Sequence, residues 1–230
     1  MLKKIYEHLL KEFGHQGWWP VTPSGSCRGD NLEPIYGLRA RIEKQKLEII
    51  FGAILTQNTS WKNVEKSIIE LNKNNLFDIG KILKIKHDEL AILIKSSGYY
   101  NQKAKKLKNM CVFLKKYPIK HLEKMELAKA RELLLNVNGI GPETADSILL
   151  YAFDKPIFVV DAYTKRFLAR LGLIKPDAGY EEVQALFMKE LPKDTELFKE
   201  YHALIVEVAK RACKKNQKCD LCALKRLCRN

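Results

Sequence analysis

The chain has 230 residues, 46% of them apolar, which is enough to bury the core of one large domain or two small ones. Lysine and arginine number 41 against 27 acidic residues, and the net charge of +14 favours a polyanionic partner such as nucleic acid. No apolar run reaches the roughly 18 residues of a membrane-spanning helix, and the charged N-terminus is not typical of a signal peptide. We therefore expect a cytoplasmic protein without membrane association.

Helical periodicity dominates the chain, and strand-like alternation is scarce. Between the amphipathic N-terminal helix and the rest of the chain, the Pro-, Gly- and Ser-rich segment 20–36 predicts a loop. Apolar spacing predicts several short helices between residues 47 and 118, and further helices over 127–136, 143–153, 162–171, 180–190 and 196–212. The sequence therefore predicts an all-α fold with many short helices.

A hairpin-like motif stands in LLLNVNGIGPETADSILLYAF, residues 133–153. Gly139 and Gly141 permit a sharp turn and close approach of another molecule, because neither has a Cβ. Pro142 suits the first turn of the following helix, whose N-terminal N–H groups can bind a nucleic-acid phosphate without reading sequence. An ordinary helix–loop–helix connection is the structural alternative.

Several motifs in the same order resemble the helix-hairpin-helix DNA glycosylases of the endonuclease III superfamily. The resemblance runs from about residue 45 to the C-terminus, and its motifs are ILTQNTSW at 54–61, GYYNQKAKKL at 98–107, the hairpin at 137–145 and Val160–Asp161 before a basic helix. It implies a two-lobed all-α fold. A discontinuous lobe of residues 1–45 and 150–230 would accompany a six-helix lobe of residues 46–149, which ends in the hairpin at about 129–149.

The resemblance also implies the partner and the reaction. The partner would be double-stranded DNA containing a damaged base, which would place the protein at the nucleoid, with a monomer as the default state. A glycosylase hydrolyses the N-glycosidic bond, which builds positive charge on the deoxyribose. A nearby carboxylate stabilises that charge and can orient water, and Asp161 is the candidate. Aspartate is also a common helix N-cap, and both roles can hold at once.

The residue before Thr144 bears on strand cleavage. Bifunctional members of the family carry a lysine at this position, which forms a Schiff base with the sugar and cuts the strand. This chain has Glu143 instead, and a carboxylate cannot form an imine. We therefore expect a monofunctional enzyme that leaves an abasic site. Nothing in the spacing of Lys155 or Lys165 indicates that either replaces the missing lysine.

A glycosylase must also extrude its target base and stack it in a pocket. The motifs are most similar to the 3-methyladenine DNA glycosylase III branch, which implies a pocket lined by Trp18, Trp19, Pro20 and Trp61. Core packing is the alternative for the first two tryptophans. The family positions that fill the gap left by the base are Gln57, Asn58 and Tyr99, and the hairpin residues expected to contact DNA are Gly139, Gly141, Glu143 and Thr144.

Four of the six cysteines stand near the C-terminus, as Cys213, Cys219, Cys222 and Cys228. The C-x5-C-x2-C-x5-C spacing indicates a metal site, and four thiolates suit either Zn²⁺ or a [4Fe–4S] cluster. Many endonuclease III relatives carry the cluster on four cysteines with similar spacing, in which the first gap is one residue longer. The resemblance therefore favours the cluster over zinc. Its expected role is structural. Cys27 has no evident partner.

Three functions remain open on the sequence. The first is a monofunctional glycosylase for alkylated purines such as 3-methyladenine, whose cationic base suits electron-rich rings. The second is a glycosylase for pyrimidines, either endonuclease III-like or specific for mismatched uracil or thymine. The third is a DNA-binding module without catalysis, which predicts no dependence on Asp161.

Overall fold

The computed structural model describes residues 1–25, 32–222, 224–225 and 227–228. The described residues form α-helices and no strand, apart from one antiparallel bridge between Val21 and Ile35, which confirms the all-α prediction. The helices are α1 (Leu2–Phe13), α2 (Glu43–Leu55), α3 (Trp61–Lys73), α4 (Ile79–Lys84), α5 (His87–Leu93), α6 (Tyr100–Lys116), α7 (Ile119–Lys124), α8 (Leu127–Leu135), α9 (Pro142–Ser147), α10 (Ala162–Arg170), α11 (Tyr180–Glu190) and α12 (Thr195–Arg211). Neither the length nor the hydropathy of any described helix allows it to cross a membrane.

The chain divides into a terminal unit, Met1–Trp18 with Pro156–Asn230, and a central unit, Trp19–Lys155. The sequence grouped residues 19–45 with the N-terminal helix, whereas the structure places them in the central unit. Local packing explains the difference. The backbone N–H and the hydroxyl of Thr22 donate to the buried carboxylate of Glu48 on α2, at 2.8 and 3.1 Å. The Trp19 ring also lies against Gly52, where a Cβ would come within 3.0 Å of it.

The central unit contains α2–α9, eight α-helices in its described part against the six expected. Lys103 lies in the GYYNQKAKKL motif on α6, and its side chain is buried although it is a lysine. Its Nζ donates to the carbonyls of Leu55 and Ser97 at 2.7 and 2.6 Å. Arg131 of α8 pairs with the buried Asp146 of α9 through hydrogen bonds of 2.7 and 3.1 Å, which fixes the two helices on either side of the hairpin.

The terminal unit is built on aromatic packing between α11, α12 and an extended segment. Phe158 stacks on Phe187 with ring centroids 3.6 Å apart and planes 5° from parallel. The Tyr201 hydroxyl donates to the carbonyl of Leu2 at 2.9 Å, which ties α1 to α12. Residues 157–160 are buried, and this run leads directly to Asp161.

Candidate active site

Asp161 lies where the buried run 157–160 ends and α10 begins. Its Oδ1 accepts hydrogen bonds from the backbone N–H and the hydroxyl of Thr164, at 2.7 and 2.8 Å. Asp161 is therefore the N-cap of α10, the structural alternative that the sequence left open. Capping engages one carboxylate oxygen, so a catalytic role for the same residue stays compatible with it.

The second oxygen of Asp161 faces a histidine of α12. Nε2 of His202 lies 3.7 Å from Oδ2 of Asp161, and the two side chains are 10% and 14% exposed. Burial by itself raises the pKa of Asp161, but its interaction with His202 and its hydrogen bonds to Thr164 outweigh burial and hold the pKa below its ordinary value. Asp161 is therefore ionised at neutral pH.

The two hairpin glycines have different roles in the central unit. Gly139 has φ +94°, in the left-handed region that favours glycine, and a Cβ there would come within 2.5 Å of the Lys106 side chain. Gly141 is extended, with φ −99°, and a Cβ there would meet nothing within 4 Å. The turn therefore requires glycine at Gly139 only. The open space at Gly141 suits the other expected property, close approach of another molecule.

Side chains from other elements of the central unit support the hairpin. The amide of Gln57 donates to the Gly139 carbonyl at 3.2 Å and to the Thr144 hydroxyl at 2.9 Å. Nζ of Lys106 donates in turn to Oε1 of Gln57. The sequence assigned Gln57 to the gap left by a flipped base, whereas in this structure its polar atoms bond to the hairpin and to α6.

Asn58 and Tyr99, the other two residues assigned to that gap, have left-handed backbone conformations, with φ +55° and +45°. Asparagine tolerates this conformation, whereas in tyrosine it costs about 1–2 kcal/mol. The Tyr99 side chain is 66% exposed. Strained backbone is often found at functional sites, and the role assigned to Tyr99 stays a prediction.

Three aromatic rings cluster in the central unit. The Trp19 centroid lies 5.4 Å from that of Trp61, edge-on at 86°, and 5.4 Å from that of Tyr151. Trp19 is only 7% exposed and its ring lies against Gly52 of α2, so it packs as a core residue of the central unit. Pro20 is buried beside it, Trp61 is half-buried, and Trp18 is a half-buried residue of the terminal unit.

The structure also places the lysines considered for strand cleavage. Glu143 is exposed in the first turn of α9, where the helix dipole stabilises a carboxylate. Nζ of Lys155 donates to two carbonyls at the end of α7, at 3.0 and 2.5 Å. Nζ of Lys165 donates to the carbonyl of Ala178 at 3.0 Å. Both ammonium groups therefore have structural partners within their own units.

The four C-terminal cysteines line one cavity together with Arg170, Gln217 and Lys225. Nη1 of Arg170 lies 3.3 Å from Sγ of Cys213 and also donates to the carbonyl of Lys214 at 2.6 Å. Among the described residues, no three Cys, His, Asp or Glu side chains lie close enough together to hold a metal ion. Four thiols around one cavity are nevertheless a donor set that fits a tetrahedral metal or a cluster. Cys27 lies outside the described residues.

Sequence reasoning missed two neighbours of the predicted site residues. His202 stands alone on the apolar face of α12, so no local motif connects it to Asp161. Tyr151 looks like one more apolar position of a helix, but it lies in a π-helical turn, Ile148–Ala152, and packs on Trp19. A π-turn inside a helix is a feature that often marks functional sites, and no periodicity predicts it.

Residues 51–193 match the HhH-GPD superfamily of base excision DNA repair proteins. A Methanocaldococcus jannaschii protein provisionally named a DNA repair glycosylase is 46% identical over 235 residues, which covers 99% of this chain and 96% of that protein. Endonuclease III of Thermotoga maritima is 31% identical over 192 residues, covering 81% of this chain and 84% of its own length.

A solved structure extends the likeness. The crystal structure of H. pylori 3-methyladenine DNA glycosylase bound to 1,N6-ethenoadenine matches with a TM-score of 0.68 and 30% identity, covering 91% of this chain and 94% of that one. The all-helical fold is thus shared with a solved DNA glycosylase. The chain belongs to the HhH-GPD superfamily and is a base excision repair DNA glycosylase.

Proposed function

We propose that this glycosylase is monofunctional and hydrolyses the N-glycosidic bond of an alkylated purine such as 3-methyladenine. The observation that carries the proposal is the Asp161 carboxylate, which is largely buried, ionised and approached by polar groups at both oxygens. In the reaction, the bond from C1′ to the base breaks and its electron pair leaves with the base. Water then adds to C1′, and the carboxylate stabilises the positive sugar between these steps.

The lowered pKa of Asp161 indicates which role the carboxylate has. A carboxylate whose pKa lies below the ordinary value is a weak proton acceptor, so it contributes little as a general base. The same carboxylate keeps its full negative charge under working conditions. Its main contribution is therefore electrostatic, and the proton of the attacking water passes to solvent.

The aromatic cluster supports an alkylated purine as the substrate. A purine alkylated on a ring nitrogen carries positive charge, which makes it a good leaving group and favours stacking on electron-rich rings. The half-buried Trp61 offers such a ring, with Trp19 packed edge-on behind it. The H. pylori relative, named for 3-methyladenine, was crystallised with a modified purine, 1,N6-ethenoadenine.

Glu143 and the structural partners of the two lysines support an enzyme without lyase activity. An imine requires an unprotonated amine at the sugar, and Glu143 cannot provide one. Removing Lys155 or Lys165 from its carbonyls would leave buried or half-buried acceptors unsatisfied. We therefore expect the abasic site to remain uncut.

The identity with T. maritima endonuclease III favours a second candidate, a glycosylase for damaged or mismatched pyrimidines. This candidate shares Asp161 but needs polar groups that read the edge of a neutral base. The base that is released distinguishes the two candidates.

The four C-terminal cysteines are proposed to hold a [4Fe–4S] cluster, with zinc as the alternative. The shared cavity of the four thiols supports a common metal-bound group. Bound there, the group would cross-link the C-terminal segment and would supply structural stability rather than a reaction step. Arg170, beside Cys213, would hydrogen-bond to a ligand sulfur.

The test is base release from duplexes that each carry one lesion, with the Asp161→Asn variant as the matched control. Asparagine can also cap α10, so the variant should fold. We expect release of 3-methyladenine by the wild type, strand breaks only after alkali, and a loss of on the order of 10³-fold in the variant. Release of uracil, thymine or an oxidised pyrimidine instead would favour the second candidate. Breaks without alkali would contradict the role given to Glu143, and binding without release of any base would leave only a DNA-binding module.

A further inference from the structure

His202 faces the candidate catalytic carboxylate, yet the reaction proposed above does not use it. Its Nε2 lies 3.7 Å from Oδ2 of Asp161, within ion-pair range, and both side chains are largely buried. Solvent screens interactions poorly at such sites, and the contact with His202 is one cause of the lowered pKa of Asp161.

The core of the terminal unit fixes the position of this imidazole. The ring packs edge-on near Phe158, with centroids 6.5 Å apart and planes at 87°. The preceding residue, Tyr201, is fully buried and hydrogen-bonded to Leu2. Tyr201 thus fixes α12 next to His202. The His202 ring is therefore held in one position, with its Nε2 facing Asp161.

The two oxygens of Asp161 thus have separate partners on two helices. Thr164 of α10 donates twice to Oδ1, and His202 of α12 faces Oδ2. The backbone N–H of Val160, the residue before Asp161, donates to the Tyr180 hydroxyl of α11 at 3.5 Å. In the described part of the terminal unit, the polar groups that act on the charge of Asp161 are Thr164 and His202.

We propose that His202 is a positioning residue that holds Asp161 in its reactive orientation and charge state. The proposal rests on the catalytic role proposed for Asp161. Without His202, the rise in the pKa of Asp161 that burial causes would be opposed by Thr164 alone. The protonated, inactive form of Asp161 would then persist to higher pH. His202 is therefore expected to set the acidic limit of base release.

The experiment compares four proteins: wild type, His202→Leu, His202→Gln and His202→Asn. Glutamine places its amide nitrogen close to the position of Nε2 and keeps a donor, whereas asparagine is polar but too short to reach Oδ2. Single-turnover release of 3-methyladenine is measured from about pH 5 to pH 8 against the spontaneous loss. Affinity for a duplex with an uncleavable abasic analogue and the melting temperature are measured alongside.

We expect the rates of the wild type and of His202→Gln to stay flat across this range, because the pKa of Asp161 lies below it. In His202→Leu and His202→Asn an acid limb should enter the range, with the rate falling about tenfold for each pH unit below the raised pKa and a smaller loss at pH 8. Affinity for the abasic analogue should be unchanged. If His202→Leu fails to fold, the Gln and Asn pair carries the same test.

Two other outcomes separate the failure of this proposal from that of the proposed function. A uniform loss at every pH, or the wild-type profile in His202→Asn, would overturn the positioning role while Asp161→Asn remains inactive. Undiminished base release by Asp161→Asn would overturn the role of Asp161 itself, and the proposal for His202 with it.

Discussion

The hairpin leads into α9 and the segment ending at Asp161 leads into α10, but the two helices begin differently. Asp161 caps α10 with its own side chain, and Thr164 and His202 complete its surroundings within the terminal unit. Gly141 stands at the same point before α9 and makes no side-chain cap. The N-terminal donors of α10 thus fix a carboxylate, whereas α9 begins beside open space.

Under the proposed function, we expect this difference to separate a site of base release from a site of DNA binding. A buried carboxylate with several partners is preorganised, so changes around Asp161 should alter the rate of base release. The hairpin depends instead on side chains from elsewhere in the central unit, chiefly Gln57 and Lys106. Changes there should alter folding stability and DNA affinity and leave the pH dependence of the reaction unaffected.

The largest effect expected in the central unit concerns Lys103. Its ammonium group joins the end of α2 to the turn at 95–97, and so connects the segment before Gln57 and Asn58 to the segment before Tyr99. Lys103→Met would leave two buried carbonyls without this donor, which should lower the free energy of unfolding by about 3 kcal/mol. Urea-induced unfolding measures the loss, and Lys105→Met, an exposed position on the same helix, is the matched control.

The same variant carries a pH signature. Burial, and secondarily repulsion from Lys106, lowers the pKa of Lys103 from 10.5 to about 8. Between these values the unfolded chain binds more protons at this site than the folded chain does, so wild-type stability rises with pH. The stability difference between wild type and Lys103→Met should therefore grow as the pH rises from about 8 towards 10.5. A constant difference would show that the folded pKa of Lys103 is not depressed.

A smaller effect is expected at the glycines, which form a matched pair. Gly139→Ala meets both a left-handed φ and the Lys106 side chain, and should cost about 2 kcal/mol of stability. Gly141→Ala should change stability by less than about 0.5 kcal/mol. If DNA approaches the hairpin at this point, Gly141→Ala should still weaken duplex binding several-fold, measured by fluorescence anisotropy. Wild-type affinity in Gly141→Ala would show that DNA does not approach there.

How much the sequence predicted depends on whether the signal is local. The helix at 180–190 has the predicted bounds, and Asp161 starts a helix as its position before Ala162 indicated. The prediction that Gly141 takes part in the sharp turn was wrong, because the sequence does not distinguish a glycine with extended backbone from one with left-handed backbone. His202, Tyr151 and the partners of Gln57 escaped prediction because their contacts join residues far apart in the chain, which no periodicity records.

The smallest effect on stability is expected at Tyr99. A substitution there tests whether this residue stabilises the fold or acts in DNA binding. Tyr99→Asn keeps a residue that tolerates left-handed backbone and removes an exposed ring, so stability should stay equal or rise by a few tenths of a kcal/mol. Base release from duplex DNA should fall by about tenfold, because the gap left by the flipped base would be unfilled at a cost of roughly 1.4 kcal/mol. Release from single-stranded DNA, which has no such gap, is the control and should be unchanged. Equal losses on both substrates would mean that Tyr99 contacts the damaged strand itself rather than replacing the extruded base.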